Sequence, residues 1–139
     1  MEKISLTFDG YWLNSDDLPE VSGIYIVYRC IHNKTETERT VTLKELIYIG
    51  ESENVNSRVT SHNRLSDWKA ELKKGEVLSF SCARVPSTDR ERAEAALIYK
   101  HQPRLNTQCK NEFSYADTTV TITGKSKFLS SNFTVCKTS

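Results

Sequence analysis

Between Pro19 and Gly50 the chain carries two dense apolar runs of strand length, Gly23-Ile24-Tyr25-Ile26-Val27-Tyr28-Arg29-Cys30 and Leu46-Ile47-Tyr48-Ile49-Gly50. β-Branched and aromatic residues fill both, and breakers between Pro19 and Gly23 precede the first. A polar stretch, Asn33 to Thr40, separates them. Two such runs in succession pair most simply as an antiparallel hairpin, which puts a sheet at the centre of the fold. With 139 residues the chain has room for one hydrophobic core.

The remaining elements follow from spacing. Asn54 is placed to cap a helix through about Arg64, with Val55, Val59 and His62 along one face. Ser66 restarts a helix in which Trp68 and Leu72 face inward and Gly75 provides the stop. From Val77 to Val85, Leu78, Phe80 and Cys82 alternate with serines, a half-buried third strand that Pro86 ends. Thr88 with Glu91 makes a capping box for a helix continuing to Pro103. Beyond Asn106, Thr118 to Lys125 and Phe128 to Val135 read as a terminal β-hairpin. The order implies an α+β domain: a small, mostly antiparallel three-stranded sheet flanked by helices, with a C-terminal β-hairpin. Residues 1–20 are expected as an extension, 21–107 as the main domain, and 108–139 as a hairpin appendage packed on it.

Composition narrows the class further. Lys plus Arg number 19 against 18 Asp plus Glu, a net charge of +1 that excludes a uniformly basic nucleic-acid binder. Asp9, Asp16, Asp17 and Glu20 interrupt the first twenty residues, so no export signal is expected there and a cytoplasmic location is. No stretch has the length of apolar residues a membrane span needs. The four cysteines, Cys30, Cys82, Cys109 and Cys136, form no Cys-x-x-Cys pair and are expected as reduced thiols. Gly124-Lys125-Ser126 lacks the earlier glycine of a P-loop and fits a hairpin turn.

Gly23-Ile24-Tyr25 and Tyr48-Ile49-Gly50 together resemble the signature of the GIY-YIG nuclease family. Downstream, Gly50-x-Ser52-x-Asn54 leads to Arg58, and His62 follows four residues later. The segment from Arg92 through Glu94 to Asn106 looks like the family's glutamate helix closing on a Pro-x-x-Asn segment. The resemblance covers roughly residues 21–107 and implies a metal-dependent endonuclease acting on DNA.

The residue types suit phosphodiester hydrolysis. A carboxylate at Glu94 can hold one hard divalent cation, magnesium or manganese, that keeps several of its own waters. One well-placed acid favours a one-metal scheme over a two-metal clamp. The planar fork of Arg58 can bind the scissile phosphate and stabilise charge growing on it. The resemblance assigns Tyr48 as general base, although a free tyrosine is only roughly 0.1% phenolate at neutral pH. Arg58, the metal and His62 are expected to assist it, neutral His62 by accepting or relaying the tyrosine proton. Tyr25 would orient water or phosphate, Gly23 and Gly50 let the strand ends approach closely, and Asn106 would brace the helix end or the site.

In isolation each residue has a structural alternative: strand tyrosines, a core histidine, a solvated arginine, a helix-face glutamate. Their joint register favours the site. The two motif tyrosines lie 23 positions apart; Thr35 to Thr40 supplies the excess over the family's short loop and suggests a gate or a partner contact. Charge is also unevenly distributed. Up to Ser57 there are five Lys/Arg and ten Asp/Glu, and from Arg58 onward fourteen and eight. Arg64, Lys69, Lys73, Lys125 and Lys127 are the candidate DNA contacts. A small restriction-type, phage or mobile-element nuclease fits the length, with a homodimer if both strands are cut. The alternative is a nucleic-acid-binding module of the same fold that does not cut.

Overall fold

The computed structural model describes residues 2–34 and 39–138. Six strands, β1 (Glu2–Trp12), β2 (Gly23–Lys34), β3 (Arg39–Ser52), β4 (Val77–Arg84), β5 (Thr118–Gly124) and β6 (Asn132–Val135), form one sheet. Three helices accompany them: α1 (Val55–Thr60), α2 (Leu65–Ala70) and α3 (Ser87–His101). The strand order is β3-β2-β4-β1-β5-β6, with β1 and β5 parallel and every other pair antiparallel. No described helix is long and apolar enough to cross a membrane.

The fold is α+β as expected, but the sheet is six-stranded and mixed, not three-stranded. The segment expected as an extension supplies β1, where Ile4, Leu6 and Phe8 are buried and the residues between them exposed. This period of two places Ile4 against Val120 and Leu6 against Ile122 of β5. The terminal hairpin, β5 with β6, is thereby part of the same sheet. β2 and β3 pair as a hairpin, both longer than their apolar runs; residues 35–38 of the connection lie outside the described residues.

Each face of the sheet has its own core. Ile24, Ile26 and Ile49 pack with Phe8 and with Ala93, Ala96 and Leu97 of α3. On the opposite face Tyr25, Val27 and Phe80 pack under Val55 and Val59 of α1 and Trp68 of α2. Side chains of this kind contribute about 1.5–3 kcal/mol each on full burial. The two layers converge at the free edge of β3.

Helix ends depart from the spacing-based expectation in three places. Asn54 does cap α1, its side chain accepting the Ser57 N–H at 3.1 Å. The helix stops at Thr60 rather than near Arg64, because Nδ1 of His62 accepts the Arg64 N–H at 2.9 Å and closes a turn of its own. α2 ends at Ala70, so Gly75, at φ +82°, serves the turn into β4. α3 begins at Ser87 after Pro86 with no side-chain cap, so Thr88 and Glu91 lie inside the helix and form no capping box. Its C-terminal stop is Gln102 at φ 52°, just before Pro103.

Candidate active site

Tyr25 and Tyr48 reach one face of the β2–β3 pair by diagonal register. Val27 lies opposite Tyr48 and Gly50 opposite Tyr25. A bulge sets this arrangement: Val27 pairs with Tyr48 and Tyr28 with Leu46, leaving Ile47 unpaired in the ladder. Ile47 and Tyr48 consequently pack on the same side. The rings of Tyr25 and Tyr48 stack at 6.3 Å between centroids. A Cβ on Gly50 would run into the Tyr25 ring, and one on Gly23 into the Ala83 carbonyl. Both glycines are required by close approach, as the motif suggested.

α1 then brings Arg58, the following turn brings His62 and Arg64, and α3 brings Glu94. With Tyr48 and Asn106 these residues line one polar cleft of about 250 Å³. His62 is buried and edge-on to Tyr48, with centroids 5.6 Å apart, and packs on Trp68 at 4.4 Å. Asn106 braces the other side: its carboxamide accepts the Ile49 N–H at 2.9 Å and donates to the Ile49 carbonyl at 2.8 Å. The Ile47 carbonyl accepts the Leu105 N–H at 3.1 Å. The backbone on both sides of Tyr48 is thus tied to the loop after α3.

Burial, reinforced by Tyr48, pushes the Tyr25 phenol above its ordinary range, with Arg58 acting against it. The Tyr48 phenol is also raised, by burial and then by the Glu94 charge; Arg64 and Arg58 oppose this without prevailing. The expected arginine assistance is present but outweighed. Burial and the two arginines hold His62 down to about 4, so it is neutral at pH 7. With Nδ1 engaged by the Arg64 N–H, the ring proton resides on Nε2. Nε2 is buried and has no hydrogen-bond partner among the described residues. With Nδ1 engaged, Nε2–H is the ring group left to make a further hydrogen bond.

Glu94 is pushed up to about 7 by burial and by the Glu51 carboxylate, while the Glu51 backbone N–H favours its charged form. Glu51 itself is ion-paired to Arg90, which also donates to Ser22 at 2.9 Å. Sequence reasoning missed Glu51, although it directly follows Gly50 of the motif. It missed Trp68 as the floor under His62 and Tyr48 as well; its inward position on α2 was the available signal. Arg58 is exposed and has no carboxylate within ion-pair distance among the described residues.

Of the candidate DNA contacts, only Arg64 lines the cleft. Lys69 borders a separate groove with Leu13 and Phe80. Lys73 lies in the turn before β4, where its N–H donates to Glu76 at 2.8 Å. Lys125 and Lys127 occupy the β5–β6 turn, which docks on Tyr11 and Tyr28.

A half-buried acid repelled by a second carboxylate, with no basic partner among the described residues, suits a divalent cation. Among the described residues no three His, Cys, Asp or Glu side chains form a cage, so an ion here would retain water ligands. Residues 22–108 match the family model of the GIY-YIG catalytic domain. No curated protein and no solved structure gives a significant match to the chain.

Proposed function

The chain belongs to the GIY-YIG nuclease family, the matched domain covering more than half its length, and from this premise we propose that it is a metal-dependent DNA endonuclease. The observation that carries the proposal is the convergence of Tyr48, Arg58, His62 and Glu94 on one cleft from three different elements. Arg58, exposed and without a carboxylate partner among the described residues, binds the scissile phosphate and stabilises its developing charge. Tyr48 takes the proton of the attacking water. The Nε2–H of His62 donates to negative charge as it develops in the cleft. Tyr25 buttresses Tyr48 from the paired strand.

Glu94 would hold one magnesium or manganese ion, with Glu51 close enough in charge to strengthen the attraction. Such an ion, when bound, supplies electrostatic neutralisation at the phosphate. Trp68 and the buried wall beneath Tyr48 exclude solvent from one side, which strengthens the charge interactions opposite. A small restriction-type, phage or mobile-element role is consistent with a chain of this length.

Nicking of supercoiled plasmid in magnesium, comparing wild type with Glu94→Ala, tests the proposal. Wild type nicks and Glu94→Ala does not, while both bind DNA. A wild type that binds DNA but cuts with neither magnesium nor manganese at any pH would establish a binding module instead.

A further inference from the structure

Arg64 makes more specific contacts than any other basic residue of the cleft. Its Nη2 donates to the Leu105 carbonyl at 2.8 Å and its Nε to Asp67 at 3.0 Å. Its backbone N–H donates to His62 Nδ1 at 2.9 Å, and its guanidinium carbon lies 5.6 Å from the centroid of the Tyr48 ring. The backbone of Leu105 has two roles, its carbonyl taking Arg64 while its N–H holds Ile47, the bulged residue before Tyr48. The Arg64 side chain thus reaches the ring of Tyr48 and the residue that anchors the backbone before it, while the Arg64 backbone N–H engages Nδ1 of His62.

From this geometry, and resting on the nuclease reading above, we propose that Arg64 is a positioning residue. It holds the Tyr48 ring and joins the turn carrying His62 to the loop carrying Asn106. Asp67 engages its Nε and Leu105 its Nη2, so two of its three nitrogens already have protein partners. The fork is therefore poorly available for bidentate grip on DNA phosphate. Arg58, six residues earlier on α1 and without a carboxylate partner among the described residues, is left to that task. Lysine at position 64 would keep a positive charge near Tyr48 but could not bridge Leu105 and Asp67 with a planar fork.

Arg64→Gln and Arg64→Lys, assayed by plasmid nicking and by DNA binding at several salt concentrations, separate positioning from phosphate binding. Positioning predicts a kcat lower by about 10²-fold in Arg64→Gln, with KM and the salt slope of binding unchanged, and an intermediate rate in Arg64→Lys. A raised KM and a salt slope reduced by about 1, with kcat unchanged, would overturn it in favour of a phosphate contact. Should Arg64→Gln fail to fold, Arg64→Lys carries the same test. A second readout needs no cleavage: in ring-¹³C-tyrosine protein, the Tyr48 resonance, assigned with Tyr48→Phe, shifts in Arg64→Gln and less in Arg64→Lys. An unmoved resonance overturns the role of Arg64. A shift in Arg64→Gln together with a wild type that never nicks DNA instead removes the nuclease reading alone.

Discussion

The carboxamide of Asn106 brackets the backbone of Ile49, accepting its N–H and donating to its carbonyl at 2.9 and 2.8 Å. β3 is an edge strand, so these two groups have no neighbouring strand on that side. Buried without partners they would be costly. Asn106→Ala is expected to destabilise the fold by about 1–3 kcal/mol, read from denaturant midpoints. Asn106→Asp, which keeps the acceptor and loses the donor, should recover only part of this. Because Ile49 adjoins Tyr48, both variants should also cut DNA more slowly than wild type.

Gly50 and Tyr25 form a second coupled pair. A methyl group at position 50 would occupy the space of the Tyr25 ring, which is 1% exposed and has little room to move. Gly50→Ala should cost about 1–3 kcal/mol through overpacking. In a Tyr25→Ala background the same substitution should cost less than half as much. Equal costs in the two backgrounds, measured in a double-mutant cycle, would exclude the contact.

His62 links stability to pH. Its folded value, about 4, lies below the ordinary 6.5, so between these values the unfolded chain binds the extra proton. Its contribution is therefore fully present above pH 6.5 and declines as pH falls toward 4, by about 1–3 kcal/mol over the window. Glu94, raised to about 7, acts in the opposite direction over this window, so urea midpoints at pH 7.5 and pH 5 in Glu94→Gln protein measure the decline. His62→Gln should flatten it, since the amide does not titrate.

Glu45 is expected to act at lower pH. Hydrogen bonds from Arg104, then Arg29, hold its carboxyl down to about 2. Arg29 continues to Glu76 at 2.6 Å, and Arg104 to Glu71, so the network ties β2 and β3 to the loops after α2 and α3. A depressed carboxyl stabilises above its unfolded value of 4.5 and loses that contribution as pH falls toward 2. Glu45→Gln should therefore be about 1–2 kcal/mol less stable than wild type at pH 7. The gap should close as pH falls to about 2 and below, as the Glu45 carboxyl takes up its proton and becomes neutral like glutamine.

Local pattern carried the centre of the fold and much of its site. The apolar runs around Tyr25 and Tyr48 mark β2 and β3, Asn54 marks the start of α1, and Pro103 marks the end of α3. The alternation of Ile4, Leu6 and Phe8 was equally visible in principle, but its partner β5 lies more than a hundred residues away and no local signal names it. The break after Thr60 escaped periodicity because it depends on a His62 side-chain bond to backbone. The place of Arg64 escaped for a similar reason: its contacts belong to Leu105 and to the ring of Tyr48, distant in sequence. Spacing and the family resemblance named residues that meet in one cleft; the engagement of His62 Nδ1 and the outweighed help to Tyr48 required the packed structure.

The central claim is that Tyr48 takes a proton during DNA cleavage, and single-turnover cleavage by Tyr48→Phe tests it most directly. The substitution keeps the ring stacked on Tyr25 and against Trp68 and removes only the hydroxyl. The rate constant should fall by about 10²–10⁴-fold with DNA affinity and denaturant midpoint unchanged. Cleavage by Tyr48→Phe at the wild-type rate would contradict the assignment.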